Sequence, residues 1–91
     1  MIFAMARELL NTTGKRIRIL RDEAGITQRD LGDAVGIRQA YMSQIEKDKS
    51  MPPADLLAQI ARALHTSADY LLMLTDDTDQ VIAGIANTAG I

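Results

Sequence analysis

Thr27-Gln28-Arg29-Asp30-Leu31-Gly32-Asp33-Ala34-Val35-Gly36-Ile37-Arg38-Gln39-Ala40-Tyr41-Met42-Ser43-Gln44-Ile45-Glu46-Lys47 is the stretch that decides the fold. Thr27 is a good N-cap, and Asp30 three positions on makes an acidic form of the capping box. Leu31 and Val35 lie one turn apart, the spacing of a buried helical stripe. Gly36 ends this run after about two turns, because glycine enters the left-handed conformation of a C-cap without a Cβ penalty. Ile37 links directly to a second helical run, Gln39 to Lys47, with Met42 and Ile45 on its inner side. The pattern predicts two short helices meeting at a tight glycine turn.

That arrangement is a helix-turn-helix, and its flanks read as helical too. Upstream, Ile17, Leu20 and Ala24 repeat at spacings of three and four and predict a helix over Lys15 to Ala24. Arg16, Arg18, Asp22 and Glu23 fill its polar remainder, Thr12 or Thr13 is its N-cap, and Gly25 ends it. Downstream, Asp48 to Pro53 is a loop, since two prolines do not fit inside a helix. Leu56, Leu57, Ile60, Ala61 and Leu64 then predict an amphipathic helix, and Ser67 caps a last short one, Ala68 to Met73. No strand-like alternation and no internal repeat is present, so the fold class is all-α. Residues 1–13 read as an N-terminal extension with Ile2, Phe3, Ala6, Leu9 and Leu10 at roughly helical spacing. Residues 14–75 read as the folded domain. Residues 76–91 form an acidic then apolar tail, either a weak helix around Asp79 to Ala86 suited to dimerisation or a disordered segment.

Ninety-one residues leave room for one domain. The absence of cysteine excludes a disulfide scaffold, a cysteine zinc finger and a thiol nucleophile, and fits the cytoplasm as the expected location. The lone His65 leaves a histidine metal site short of ligands. Asp76, Asp77 and Asp79 lack the glycine and terminal glutamate of a calcium loop. No phosphate loop and no Ser/His/Asp set is present, so we expect no enzyme, no catalytic residue, no metal and no cofactor. No apolar run reaches the ~18 residues of a membrane span, and the short apolar start precedes Arg7, the reverse of a secretory signal. The net charge is −2, but it is unevenly distributed. Residues 1–50 hold nine Lys/Arg against seven Asp/Glu, whereas residues 51–91 hold Arg62 alone against five Asp. A modest cationic face can therefore meet phosphates while the acid lies elsewhere.

The ordered set of these residues resembles the Cro and phage-repressor type of helix-turn-helix domain, also called the xenobiotic-response-element family. The resemblance runs from about Gly14 to Leu72 and includes Ile17-Arg18, Leu20-Arg21, Pro52 and Ser67-Ala68-Asp69-Tyr70-Leu71-Leu72. It implies a five-helix lambda-repressor-like domain, with room for an extra helix at either end. Three positions depart from the family pattern: Gly32 stands where Ala is usual, Arg38 where Ser or Thr is usual, and Asp48 where Gly is frequent.

At about 100° per residue, the side of the second motif helix opposite Met42 and Ile45 carries Ala40, Gln44 and Lys47, with Ser43 on its flank and Gln39 at its exposed start. Glutamine can pair with adenine and alanine can meet a thymine methyl in the major groove. Polarity alone fits a solvated helix face equally well. The resemblance assigns the face to base reading by Gln39, Ala40, Tyr41, Ser43 and Gln44, although the Tyr41 ring could instead pack over the turn. It also implies phosphate contacts at Gln28, Arg38, Lys47 and Lys49, with a base edge as the alternative for Arg38, and an internal ion pair between Arg21 and Glu46.

The implied function is sequence-specific binding of double-stranded DNA, as a repressor acting as a homodimer on a palindromic operator with half-sites about 34–36 Å apart. The expected interface is Tyr70, Leu72, Met73, Val81, Ile82 and Ile85, with Ile2, Phe3 and Met5 as a second candidate. Two other readings stay open. One is a protein-interaction module, such as an antitoxin, that holds a toxin or an anti-repressor. The other is the DNA-binding half of a longer repressor.

Overall fold

Among the described residues, three of the five helices start at a hydroxyl side chain that accepts a backbone N–H, and these starts divide the chain as the sequence suggests. The computed structural model describes residues 12–75. Thr12 caps α1 (Thr13–Ala24), accepting from Lys15 N–H at 3.1 Å. Thr27 caps α2 (Gln28–Val35) in a full capping box: its hydroxyl accepts from Asp30 N–H at 3.0 Å, and the Asp30 carboxylate accepts from Thr27 N–H at 3.1 Å. Ser67 caps α5 (Ala68–Leu71), accepting from Tyr70 N–H at 3.0 Å. The other two helices, α3 (Gln39–Glu46) and α4 (Ala54–Ala63), begin at Arg38 and Pro53 without a side-chain cap. Gly25 and Gly36 close α1 and α2 in the left-handed conformation, at φ 74° and 78°.

The helices pack as α2 on α3 and α4, α1 on α3 and α5, and α4 on α5. Between them lies an aliphatic core in which Ile17, Leu31, Met42, Ile45, Ile60 and Leu71 are fully buried. Val35, Leu56, Leu57, Ala61, Leu64 and the aromatic Tyr70 complete it, with Leu20, Ile26 and Ile37 packed at its edge.

Several boundaries differ from expectation. Helix α1 begins two residues earlier than Lys15, because Thr12 rather than Thr13 is the cap. Helix α3 stops at Glu46, with Lys47 as its C-cap. Helix α5 stops at Leu71, because Met73 turns into the left-handed region at φ 63°. Ala24, placed in the buried stripe of α1, is exposed, whereas Arg16, placed on its polar side, is buried. The Arg16 guanidinium lies 4.4 Å from the centre of the Tyr70 ring and donates from Nη1 to the carbonyls of Tyr70 and Thr75, both at 2.8 Å. It thereby ties α1 to the end of α5. Tyr70, expected at a dimer interface, is only 4% exposed and belongs to the core of its own domain. The expected helical segments within residues 1–11 and 76–91 lie outside the described residues.

The capping box has a pH signature. Hydrogen bonds from the Thr27 backbone N–H, and then from its side chain, hold the Asp30 carboxyl below the usual carboxylate range. The stabilisation from Asp30 is therefore present above its unfolded-state pKa and is lost as pH falls through the depressed folded value. Replacing Thr27 by alanine is expected to cost about 1 kcal/mol in urea denaturation at neutral pH. It should also move the Asp30 titration upward in an NMR pH series. The backbone N–H bond, the larger cause, survives in alanine, so that rise should be partial; a variant as stable as the parent would show that the box is not formed in solution.

Candidate nucleic-acid interface

Helix α3 offers one side to the core and the other to solvent. Met42 and Ile45 are buried on the inner side, together with Glu46. Gln39, Ala40, Gln44 and Lys47 are exposed on the outer side, and Tyr41 and Ser43 are half-buried at its flanks. The Tyr41 ring packs in part against the core, which limits how far it can extend outward. Arg38 and Lys49, at either end of the helix, are exposed. Among the described residues no cluster of His, Asp and Glu is grouped to hold a metal ion, and no helix is long and apolar enough to cross a membrane.

Three contacts hold α3 in place. The first is at its start. A Cβ on Gly32 would lie 2.7 Å from the Ile37 carbonyl oxygen, and Ile37 N–H donates to the Gly32 carbonyl at 2.9 Å. Glycine lets α2 sit directly against the turn, which offsets the helix propensity it forgoes, about 1 kcal/mol relative to alanine.

The second contact is the ion pair between α1 and α3. Arg21 Nε donates to Glu46 Oε2 at 2.7 Å and Nη2 donates to Oε1 at 3.0 Å, a two-pronged pair in which the Glu46 side chain is 2% exposed. Arg21 Nη1 donates to the Ile26 carbonyl at 2.9 Å, so the same guanidinium also fixes the linker before α2. The hydrogen bond to Glu46 holds the Arg21 pKa above its ordinary value despite the opposing effect of burial. Gln28 joins this group, its amide nitrogen donating to Glu46 Oε1 at 3.1 Å. Expected at a phosphate, Gln28 is thus anchored through one N–H; a primary amide has a second to offer.

The third contact was not anticipated from sequence. Asp48 adopts a left-handed φ of 60° just past α3. Its Oδ1 accepts from Gly14 N–H at 2.8 Å and its Oδ2 accepts from the Thr12 hydroxyl at 2.6 Å. The carboxylate thus satisfies one orphan N–H, that of Gly14, and the capping Thr12 hydroxyl at the N-terminus of α1, where the helix dipole also favours an anion. A Cβ on Gly14 would lie 2.5 and 2.6 Å from the Ile45 and Glu46 carbonyl oxygens, so the start of α1 touches the backbone of α3. The partners stand 34 and 36 positions apart, a separation at which local pattern holds no signal.

The expected interface residues Leu72 and Met73 are 39% and 44% exposed, and Leu74 beside them is 72% exposed. Val81, Ile82, Ile85, Ile2, Phe3 and Met5 lie outside the described residues.

The Helix-turn-helix family model matches residues 17–71 of this chain. An uncharacterized HTH-type transcriptional regulator of Mycobacterium tuberculosis is 35% identical over 83 residues, covering 86% of this chain and 59% of the relative. The chain thus spans well under two thirds of that relative's length. Repressor protein C2 of Salmonella phage P22 is 39% identical over 59 residues, covering 65% of this chain and 27% of the relative. Among solved structures, the P22 c2 repressor protein in complex with a synthetic operator is similar with a TM-score of 0.66 at 38% identity, covering 67% of this chain and 92% of that one. The SinR protein/SinI protein complex is similar with a TM-score of 0.61 at 26% identity, covering 88% of this chain and 82% of that one.

Proposed function

The chain belongs to the helix-turn-helix family, whose members are DNA-binding transcriptional regulators and not enzymes, and from that premise we propose that it binds double-stranded DNA sequence-specifically as a repressor. In this reading residues 14–75 are the DNA-binding domain, and the protein works in the cytoplasm. Helix α3 enters the major groove, where Gln39, Ala40, Ser43 and Gln44 meet base edges and Tyr41 borders the groove. Lys47, Lys49 and the free N–H of Gln28 meet phosphates. What supports this most is that the outer face of α3 is exposed and carries Gln39, Gln44 and Lys47, while the turn before it is packed on Gly32 and its C-terminal end is held by Arg21 and by Asp48. A helix so fixed presents its amides without first having to be ordered, which favours binding.

A single helix touches few base pairs, so the proposal includes a homodimer on a palindromic operator. Leu72 and Met73 supply part of the interface, with Val81, Ile82 and Ile85 as further members, and Ile2, Phe3 and Met5 are the alternative set. The similarity to SinR, solved with the protein SinI, supports a second reading in which this fold serves a protein partner such as a toxin or an anti-repressor.

Selection from a randomised duplex pool at physiological salt, with Gln44→Ala run beside the parent, separates the two. The parent is expected to enrich a symmetric site, and the variant to bind that site about 10- to 100-fold more weakly, with relaxed preference at one position of each half. A folded parent that enriches nothing would favour the protein-partner reading.

A further inference from the structure

We infer that Arg38 is a specificity-determining residue that reads a guanine at the edge of each half-site; this rests on the DNA-binding reading above. Arg38 is the N-cap of α3, and its side chain makes no capping hydrogen bond. It is exposed and has no hydrogen bond or ion pair with any described residue, so its guanidinium gives up no partner among them when it binds. Its backbone, in contrast, is fixed. The Arg38 carbonyl accepts from Tyr41 N–H and Met42 N–H, both at 3.1 Å, and the preceding Ile37 is locked against Gly32 at 2.9 Å. A long side chain with a planar, five-donor head thus projects from a backbone position held by these hydrogen bonds.

The composition of the reading face says what that side chain is for. Gln39 and Gln44 carry amide forks that match adenine, and Ala40 carries a methyl that matches thymine. None of these pairs well with guanine. The cations on and beside α3 are Arg38 at its start and Lys47 and Lys49 at its end. In a helix-turn-helix, the N-terminal residues of the second helix are those that contact base edges. Arg38, directly ahead of Gln39, is therefore placed for bases, and Lys47 for the backbone. The arginine fork matches guanine O6 and N7 together, which a point charge on a phosphate does not require.

The test compares the parent with Arg38→Ala, at an exposed side chain that makes no hydrogen bond or ion pair among the described residues. Both are taken through duplex selection, then through binding to the enriched site, to its single-base-pair variants and to a salt series. The parent is expected to prefer G·C at one matching position of each half-site by about 5- to 150-fold. Arg38→Ala should lose that preference, keep the others, and bind the site lacking that G·C as the parent does. A uniform loss across all sequences with a salt slope reduced by about one would make Arg38 a phosphate contact and overturn the assignment. So would unchanged preferences in the variant. If the folded parent enriches no site, the DNA-binding reading falls and this assignment falls with it; an enriched site with a uniform or absent Arg38 effect overturns this assignment alone.

Discussion

Replacing Glu46 by alanine is expected to lower the unfolding free energy by about 3–5 kcal/mol. Glu46 accepts from Arg21 Nε and Nη2 and from the Gln28 amide, and its side chain is 2% exposed against 11% for Arg21. Without it, the guanidinium, 11% exposed, keeps only the exposed Asp22 carboxylate at 3.3 Å and the Ile26 carbonyl, and Gln28 loses its anchor. An exposed pair would be worth no more than about 1 kcal/mol, so burial makes the difference. Urea denaturation at neutral pH reads the effect. The double variant Arg21→Met with Glu46→Leu should be far less destabilised than Glu46→Ala alone, because replacing both partners leaves no stranded charge. A loss below about 1 kcal/mol in the single variant would mean that the pair is hydrated in solution and does not hold α3.

Gly14→Ala is expected to destabilise by about 3 kcal/mol, against the sign that helix propensity would assign. Within a helix, alanine in place of glycine normally gains about 1 kcal/mol. At residue 14 the new Cβ would lie 2.5 Å from the Ile45 carbonyl oxygen, 2.6 Å from that of Glu46 and 2.7 Å from Asp48 Oδ1. Two of these are backbone atoms and cannot swing aside, so α1 must lift from α3. Doing so breaks the Asp48 hydrogen bonds to Gly14 and Thr12. A domain of this size has about 5–15 kcal/mol in all, so the shift in the urea midpoint should be large. A Gly14→Ala variant more stable than the parent would refute the close approach. Because α1 positions the C-terminal end of α3, the variant should also bind DNA more weakly while still folded.

The helices were legible because local signals agreed with one another. Thr27 with Asp30, Gly25, Gly36 and Ser67 punctuate the chain through interactions within a few residues, and they appear in those roles in the structure. The spacing of Leu31, Val35, Met42, Ile45, Leu56, Leu57 and Ile60 identified the core. The outer face of α3 followed by geometry, since what lies opposite Met42 and Ile45 cannot also face the core. The Arg21–Glu46 pair was available from the family resemblance alone; nothing in local spacing joins those two residues.

Hydrophobic period failed where a polar side chain is buried on purpose. Arg16 was grouped with solvent-facing residues, yet it lies over Tyr70 and binds two carbonyls at the end of α5. The same contact draws Tyr70 inward from the surface where it was expected. Asp48 shows the complementary failure. It stands where the family frequently has glycine, and nothing in the local pattern shows that its carboxylate caps a helix 34 positions earlier in the chain.

The amino-acid sequence by itself determined the all-α class, the helix-turn-helix and the residues on the exposed face of α3, because caps, turns and periodicity act over one or two turns of chain. Only the tertiary structure decided how α3 is held: Gly14 against its carbonyls, Asp48 across to α1, and Arg21 with Gln28 on Glu46. Those contacts join residues that are remote in sequence, and whether a buried arginine or a strained aspartate is stabilising depends on the partner that folding brings to it.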